Sequence, residues 1–372
     1  MKSKEVQSIP RETQLRIDEF ERSYWRTTGK KMLKDWRLYL MIVPLILIFL
    51  FWRYFPMYEL TAAFKQYDRN LDISEMNYVG LYWFEQLFFG TAKEEFWPAF
   101  RNTFLLSFYG LLFGFPMPIL LALFFSEIKS DIVRSAMQIC TYLSKFVSMV
   151  VITSLIQLLL RKGNATAQTQ PGVLARFLLA IGALKDVDVN EIGLLYGPQY
   201  FRSIYQISGV WAEAGYGSIV YFAAIIGISP TSYEAARIDG ASKMQQIKTV
   251  VLPGILSTVI IMLITRLGHL MTVGYEKVLL LKTAPTTGQG NESTAEVIAT
   301  WVFKLGGMDG GGGGDESLGS AADMVNAVIS MLLVTGANMI SKRASNTSLY
   351  QGERKWLKLK IKTVRLSLLR KR

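Results

Sequence analysis

Cysteine, histidine and charge are the scarce materials of this sequence. A single cysteine, Cys140, excludes an internal disulfide and leaves the redox compartment open. The lone histidine, His269, excludes a histidine cluster for a metal. Charged residues make up 19% of the 372-residue chain, where about 25% is usual for a soluble domain. No G-x-x-x-x-G-K-[ST] run is present, so the chain has no loop of the type that cradles nucleotide phosphates. The glycine run Gly310–Gly314 lacks G-x-G-x-x-G spacing and, with Gly306 and Gly307, reads as a flexible linker. No cluster of acids or histidines suggests a membrane-embedded transferase.

Apolar residues are abundant, at 51%, and they are grouped. Leu38–Trp52, Thr103–Ser126, Phe146–Leu160 and Ala327–Ser341 contain no charge. A bilayer-spanning helix needs about 20 mostly apolar residues. The pattern predicts an all-α integral membrane protein with six spans: Leu38–Met57, Thr103–Ser126, Lys145–Leu160, Arg202–Ile228, Gly254–Leu281 and Ala321–Ser341. The division is a basic segment 1–37, a transmembrane domain 38–343 and a basic tail 344–372. No signal-peptide pattern precedes the first run, which is expected to persist as a helix.

Lysine and arginine favour the cytoplasmic side of a membrane. With both termini cytoplasmic, 26 of the 41 lie in inner segments and 12 in outer ones. The net charge of +12 follows from that bias and from contact with anionic inner-leaflet lipid, with no nucleic-acid partner required. The tail alternates Trp356, Leu357, Leu359, Ile361 and Val364 with cations, as an inner-leaflet anchor or a solvated tail would.

On this topology, residues 229–253 form an inner loop between spans four and five. Glu234, Ala235, Ala236 and Arg237 favour helix, and Gly240 supplies a turn where a side chain would be strained. Met244, Ile247, Val250 and Val251 then resume a helical pattern, and Pro253 fixes the start of span five. The prediction is a short helix–turn–helix.

The order Glu234-Ala-Ala-Arg-Ile-Asp-Gly-Ala241, followed by Leu252-Pro253, resembles the E-A-A coupling loop of ABC importer permeases in its sugar-importer form. Tyr54-Phe-Pro-Met-Tyr58, Arg101-Asn-Thr-Phe104, Phe113-Gly-Phe-Pro-Met-Pro118 and Val273-Gly-Tyr-Glu-Lys277 extend the resemblance, to LplB-type oligosaccharide permeases, over roughly residues 35–350. At one point the chain departs, reading Ser144-Lys-Phe146 where the family has Pro-His-Phe.

The resemblance implies a type I importer permease fold of the maltose type, in the bacterial cytoplasmic membrane. It implies a second permease subunit, two ATPase subunits carrying ATP and magnesium, and an extracellular sugar-binding protein. No cofactor would be bound by this chain. Glu234, Ala235, Ala236, Asp239, Gly240 and Ala241 would dock the ATPase, with Leu252 and Pro253 linking the loop to span five. An ion-gradient-driven sugar transporter is the alternative, but it would show two related halves, and no internal repeat is found.

Charges within spans usually face a cavity or a partner. Glu213, Arg266, His269 and Glu276 therefore either line a sugar path or form a structural polar network, with Arg266 and His269 expected on one helix face. Tyr109, Tyr205, Trp211, Tyr216 and Tyr221 are aromatic candidates for the same path.

Overall fold

The computed structural model describes residues 34–68, 70–163, 170–185, 192–282, 290–307 and 315–345, with side chains to 342. The expected glycine linker, the basic tail and most of the N-terminal segment lie outside these residues. Two compact units are resolved, divided between Thr61 and Ala62. The first holds helix α1, Trp36–Phe49, which continues through a wide turn at Leu50–Tyr54.

The second unit is helical throughout its described core. In order it contains α2 (Tyr82–Phe88), α3 (Lys93–Tyr109), α4 (Pro116–Glu127), α5 (Asp131–Leu143), α6 (Met149–Leu159) and α7 (Val173–Ala180). There follow α8 (Pro198–Ile226), α9 (Pro230–Ile238), α10 (Lys243–Gln246), α11 (Leu252–Gly268) and α12 (Tyr275–Leu281). The last three are α13 (Glu292–Ala295), α14 (Ile298–Leu305) and α15 (Glu316–Ser345). Among the described residues, five helical stretches are long and apolar enough to cross a membrane, or six if the bent α5–α6 pair is one span.

Prolines shape three of these stretches. Wide i→i+5 turns occupy Leu50–Tyr54, Gly110–Gly114 and Ile247–Val251. Each ends two residues before a proline: Pro56, Pro116 and Pro253. A proline lacks the N–H for the carbonyl four residues back and collides with it, and widening the preceding turn relieves the collision.

Two expected spans are built differently. The third is not one helix over Lys145–Leu160: α5 turns by 98° into α6 through Ser144–Ser148. Ser130 and Ser148 each accept a backbone N–H as helix caps, so the sequence starts two helices here. The fifth stops at Gly268, not Leu281. The backbone tightens there, with the His269 N–H bonding the Arg266 carbonyl and the Leu270 N–H that of Leu267. His269 is thus beyond the helix and Glu276 belongs to the separate α12, so the expected Arg266–His269 face is not formed.

α8 is the central post, packed on α4, α5 and α11. It approaches α5 closely at Gly215, where a Cβ would lie 2.6 Å from the carbonyl carbon of Thr141. Gly110 and Gly114 face Gln206 and Val210 of α8 with ordinary room for a methyl group. At the other end, Phe96 and Trp301 are fully buried among Ala99, Ala321 and Ala322, joining α3, α14 and α15. Polar groups tie this end together. Trp301 donates to Glu95 at 2.8 Å, and Asn102 donates to the Ser293 and Glu296 carbonyls at 2.9 and 3.0 Å. Lys282 pairs with Glu292 at 3.0 Å and with Glu296. Burial alone would lower the Lys282 pKa, but bonds to the two carboxylates carry it above 10.5.

Candidate functional site

Residues 229–253 fold into an elbow whose parts follow from local chemistry. Pro230 sits at the first helical position, where its missing N–H has no intrahelical role. α9 ends as Gly240 turns left-handed, φ +76°, and the Ala241 N–H bonds the Ala236 carbonyl at 2.9 Å. A capping box then starts α10: Ser242 and Gln245 exchange side-chain-to-backbone bonds. The Gln246 amide closes the turn on the Ala241 carbonyl at 2.9 Å.

Glu234, Ala235, Asp239 and Gly240 are exposed on this elbow, and Ala241 is partly so. Ala236 points inward and is buried, which places it under the turn and not on the expected contact surface. Leu252 and Pro253 open α11 and are exposed. Sequence reasoning missed two apolar side chains that the elbow displays: Ile238, 86% exposed, and Met244. The i, i+4 relation of Glu234 and Ile238 was the available signal.

The elbow is anchored to the membrane helices. Tyr233 packs on a buried cluster of Ala122, Tyr221, Ile225, Val251 and Ile255, drawn from α4, α8, the wide turn and α11. Burial, with the Glu127 carboxylate nearby, pushes the Tyr233 phenol above its ordinary value. Lys243 reaches Glu127 at the end of α4, 2.7 Å away. The elbow is thus packed on α4, α8 and α11 together.

A second constellation lies within the helices. Glu213 of α8 is shared by Lys145, in the α5–α6 bend, and Arg266, in the last turn of α11, each 3.4 Å away. Ser144 donates to the Trp211 carbonyl at 3.2 Å, fixing the bend against α8. Phe146 meets Tyr216 edge-on with ring centroids 6.3 Å apart. Tyr205 lies under Lys277, whose ammonium is 4.2 Å from the ring centroid and 2.7 Å from the Tyr205 carbonyl.

The other path candidates are elsewhere. Tyr109 lines a separate open groove of about 600 Å³ with Gln199, Arg202 and Gln206. Tyr221 is 2% exposed and belongs to the cluster beneath the elbow, so it lines no path in this conformation. His269 is exposed and sits beside the Thr272 hydroxyl, while Glu276 is exposed on α12.

Comparison with known proteins gives the family of the chain. Residues 97–273, from α3 to the end of the α11 region, match the model of the binding-protein-dependent transport system inner membrane component. Protein LplB of Bacillus subtilis is 30% identical over 317 residues, 85% of this chain and 92% of that protein. The polygalacturonan/rhamnogalacturonan transport system permease YteP of the same organism is 32% identical over 320 residues, 86% of this chain and 92% of that protein. A chain of a bacterial alginate ABC transporter, solved with its pentasaccharide-bound periplasmic protein, superposes with a TM-score of 0.72 at 38% identity. That match covers 86% of this chain and 99% of the other. These relatives lend no support to drive by an ion gradient. With its long helices and the elbow between α8 and α11, this chain belongs to the permease subunits of ABC importers, the inner-membrane components of binding-protein-dependent transport systems.

Proposed function

We propose that this chain is one half of a paired permease that carries oligosaccharide fragments of polysaccharides into the cell, driven by two separate ATPase subunits. An extracellular sugar-binding protein delivers the cargo. Both termini and the elbow are cytoplasmic, ATP and magnesium reside on the ATPases, and the elbow is the mechanical contact. The carrying observation is the elbow, exposed through Glu234, Ala235, Ile238 and Asp239 yet rooted by Tyr233 in the cluster joining α4, α8 and α11. Two arrangements of that cluster would give the helices inward-open and outward-open states. The polygalacturonan and alginate relatives support polysaccharide fragments as cargo.

The test is two substitutions in the reconstituted transporter. Gly240→Pro forces φ to about −65° where the turn uses +76°. Glu234→Lys reverses an exposed charge on the elbow. Each is expected to abolish sugar-stimulated ATP hydrolysis while the chain still inserts into the membrane. Normal stimulation in both variants would show that the elbow transmits nothing.

A further inference from the structure

Three charged side chains meet at one height in the helices, where two helices are interrupted. At 1.5 Å per residue, Glu213 stands about 20 Å from the Ile226 end of α8, and Arg266 about 21 Å from the Leu252 start of α11. Both reference ends adjoin the elbow. α5 also starts at that end, after the short Ile128–Ser130 link from α4, and Lys145 follows about 21 Å along it. At this height α5 bends by 98° into α6, and α11 stops.

Irregular backbone at membrane depth is tolerated only where protein covers it or water reaches it. Lys145, Glu213 and Arg266 have side chains 44%, 47% and 48% exposed, so protein does not enclose them. A charge facing lipid at mid-helix costs about 2.5–3.5 kcal/mol on insertion scales, so three together face water or the paired subunit, and both lie along the transport path between two permease halves. Nor is the cluster neutral, since two cations share one carboxylate. The exposed ring of Phe146, which follows Lys145 and meets Tyr216 one turn from Glu213, borders it.

We propose that Lys145, Glu213 and Arg266 form a carboxylate-binding station on the transport path, which takes a uronate group of an acidic oligosaccharide. The incoming carboxylate replaces Glu213 on one of its two cations, while Phe146 and Tyr216 offer apolar ring surface to the sugar. Because Glu213 retains the other cation, the site binds weakly enough to release its cargo onward. This rests on the import reading above and adds the substrate's charge class to it.

The experiment uses the complete transporter with its binding protein in proteoliposomes. It compares uptake of an oligogalacturonate, an alginate oligosaccharide and the carboxyl-reduced form of each. Arg266→Gln and Lys145→Gln are each expected to raise KM for a uronate sugar about tenfold and to change KM for the reduced forms far less. Glu213→Gln removes the competing anion and is expected to lower KM for the uronate sugar. Arg266→Lys should restore most of the Arg266→Gln loss, and this pair with Glu213→Gln decides the matter if a neutral variant fails to assemble. Equal losses on acidic and reduced sugars, an unchanged uronate KM, or a wild type that carries only reduced sugars would overturn the station while leaving import intact. A wild type that no carbohydrate stimulates would overturn the import reading itself.

Discussion

Replacing Gly215 by alanine tests how closely the charged cluster depends on one helix crossing. A Cβ at this position lies 2.6 Å from the Thr141 carbonyl carbon and 2.9 Å from the Thr141 Cβ, whereas ordinary contact begins at 3.4 Å. The Thr141 carbonyl oxygen is nearer still, and all three obstacles belong to a helix, so α5 and α8 must part by about 0.8 Å or more, a gap that forfeits a quarter to a half of the contact energy along the seam. Overpacking of this kind costs about 1–3 kcal/mol. The same displacement stretches the Lys145–Glu213 pair from 3.4 Å to beyond 4 Å and breaks the 3.2 Å bond from Ser144 to Trp211. Gly110→Ala is the control, since its Cβ would meet Gln206 at 3.5 Å and helix propensity favours alanine by about 1 kcal/mol. Thermal unfolding of the purified transporter is expected to show a clear fall in midpoint for Gly215→Ala and none for Gly110→Ala. Equal midpoints for Gly215→Ala and wild type would refute the reasoning, because they would mean the crossing yields without cost.

Three further outcomes follow from the packing. Lys282→Met removes the cation from Glu296, whose side chain is 16% exposed and keeps only the Thr300 hydroxyl at 3.3 Å, at a cost of about 1.5–3 kcal/mol in unfolding assays. Since the folded pKa of Lys282 lies above 10.5, its contribution is complete below pH 10.5 and fades only as pH climbs through the folded value, so wild type and variant should converge only there. Burial raises the Asp315 carboxyl above 3.8, although the Ser317 and Leu318 N–H groups pull it back. A raised carboxyl gains stability as pH falls through its folded value, so Asp315→Asn should be at least as stable as wild type at pH 7 and less pH-dependent in acid. Pro253→Ala lets the ordinary bond to the Thr249 carbonyl form, narrowing the wide turn and rotating the elbow against α11. Several-fold weaker sugar-stimulated ATP hydrolysis with an unchanged unfolding midpoint is expected.

What the sequence revealed was governed by local chemistry. The elbow was legible because alanines, a turn glycine and a proline act over a few residues, and the structure adds the Ser242–Gln245 capping box, the inward turn of Ala236 and the display of Ile238 and Met244. The α5–α6 bend was harder to see, because the apolar run Phe146–Leu160 resembles a short span until Ser130 and Ser148 are recognised as two helix caps. The fifth span was drawn too long because Val278–Leu281 restores apolar character after the break at Gly268. The role of Lys145 had no local signature, since its partner Glu213 is 68 positions away along the chain. Contacts of that separation arise only once α5 and α8 have packed.

The elbow's role can be read directly by cross-linking in a Cys140→Ser background, which removes the exposed native thiol. Cysteines placed at Ala235 and Asp239, both exposed, would be paired with cysteines around the groove of the co-expressed ATPase. Disulfides that form at these positions, that change in yield when ATP is added, and that block sugar uptake until reduced are the predicted result. Reaction of both thiols with a membrane-impermeant reagent from outside the cell would contradict it, as would failure of either to link to any nucleotide-hydrolysing subunit.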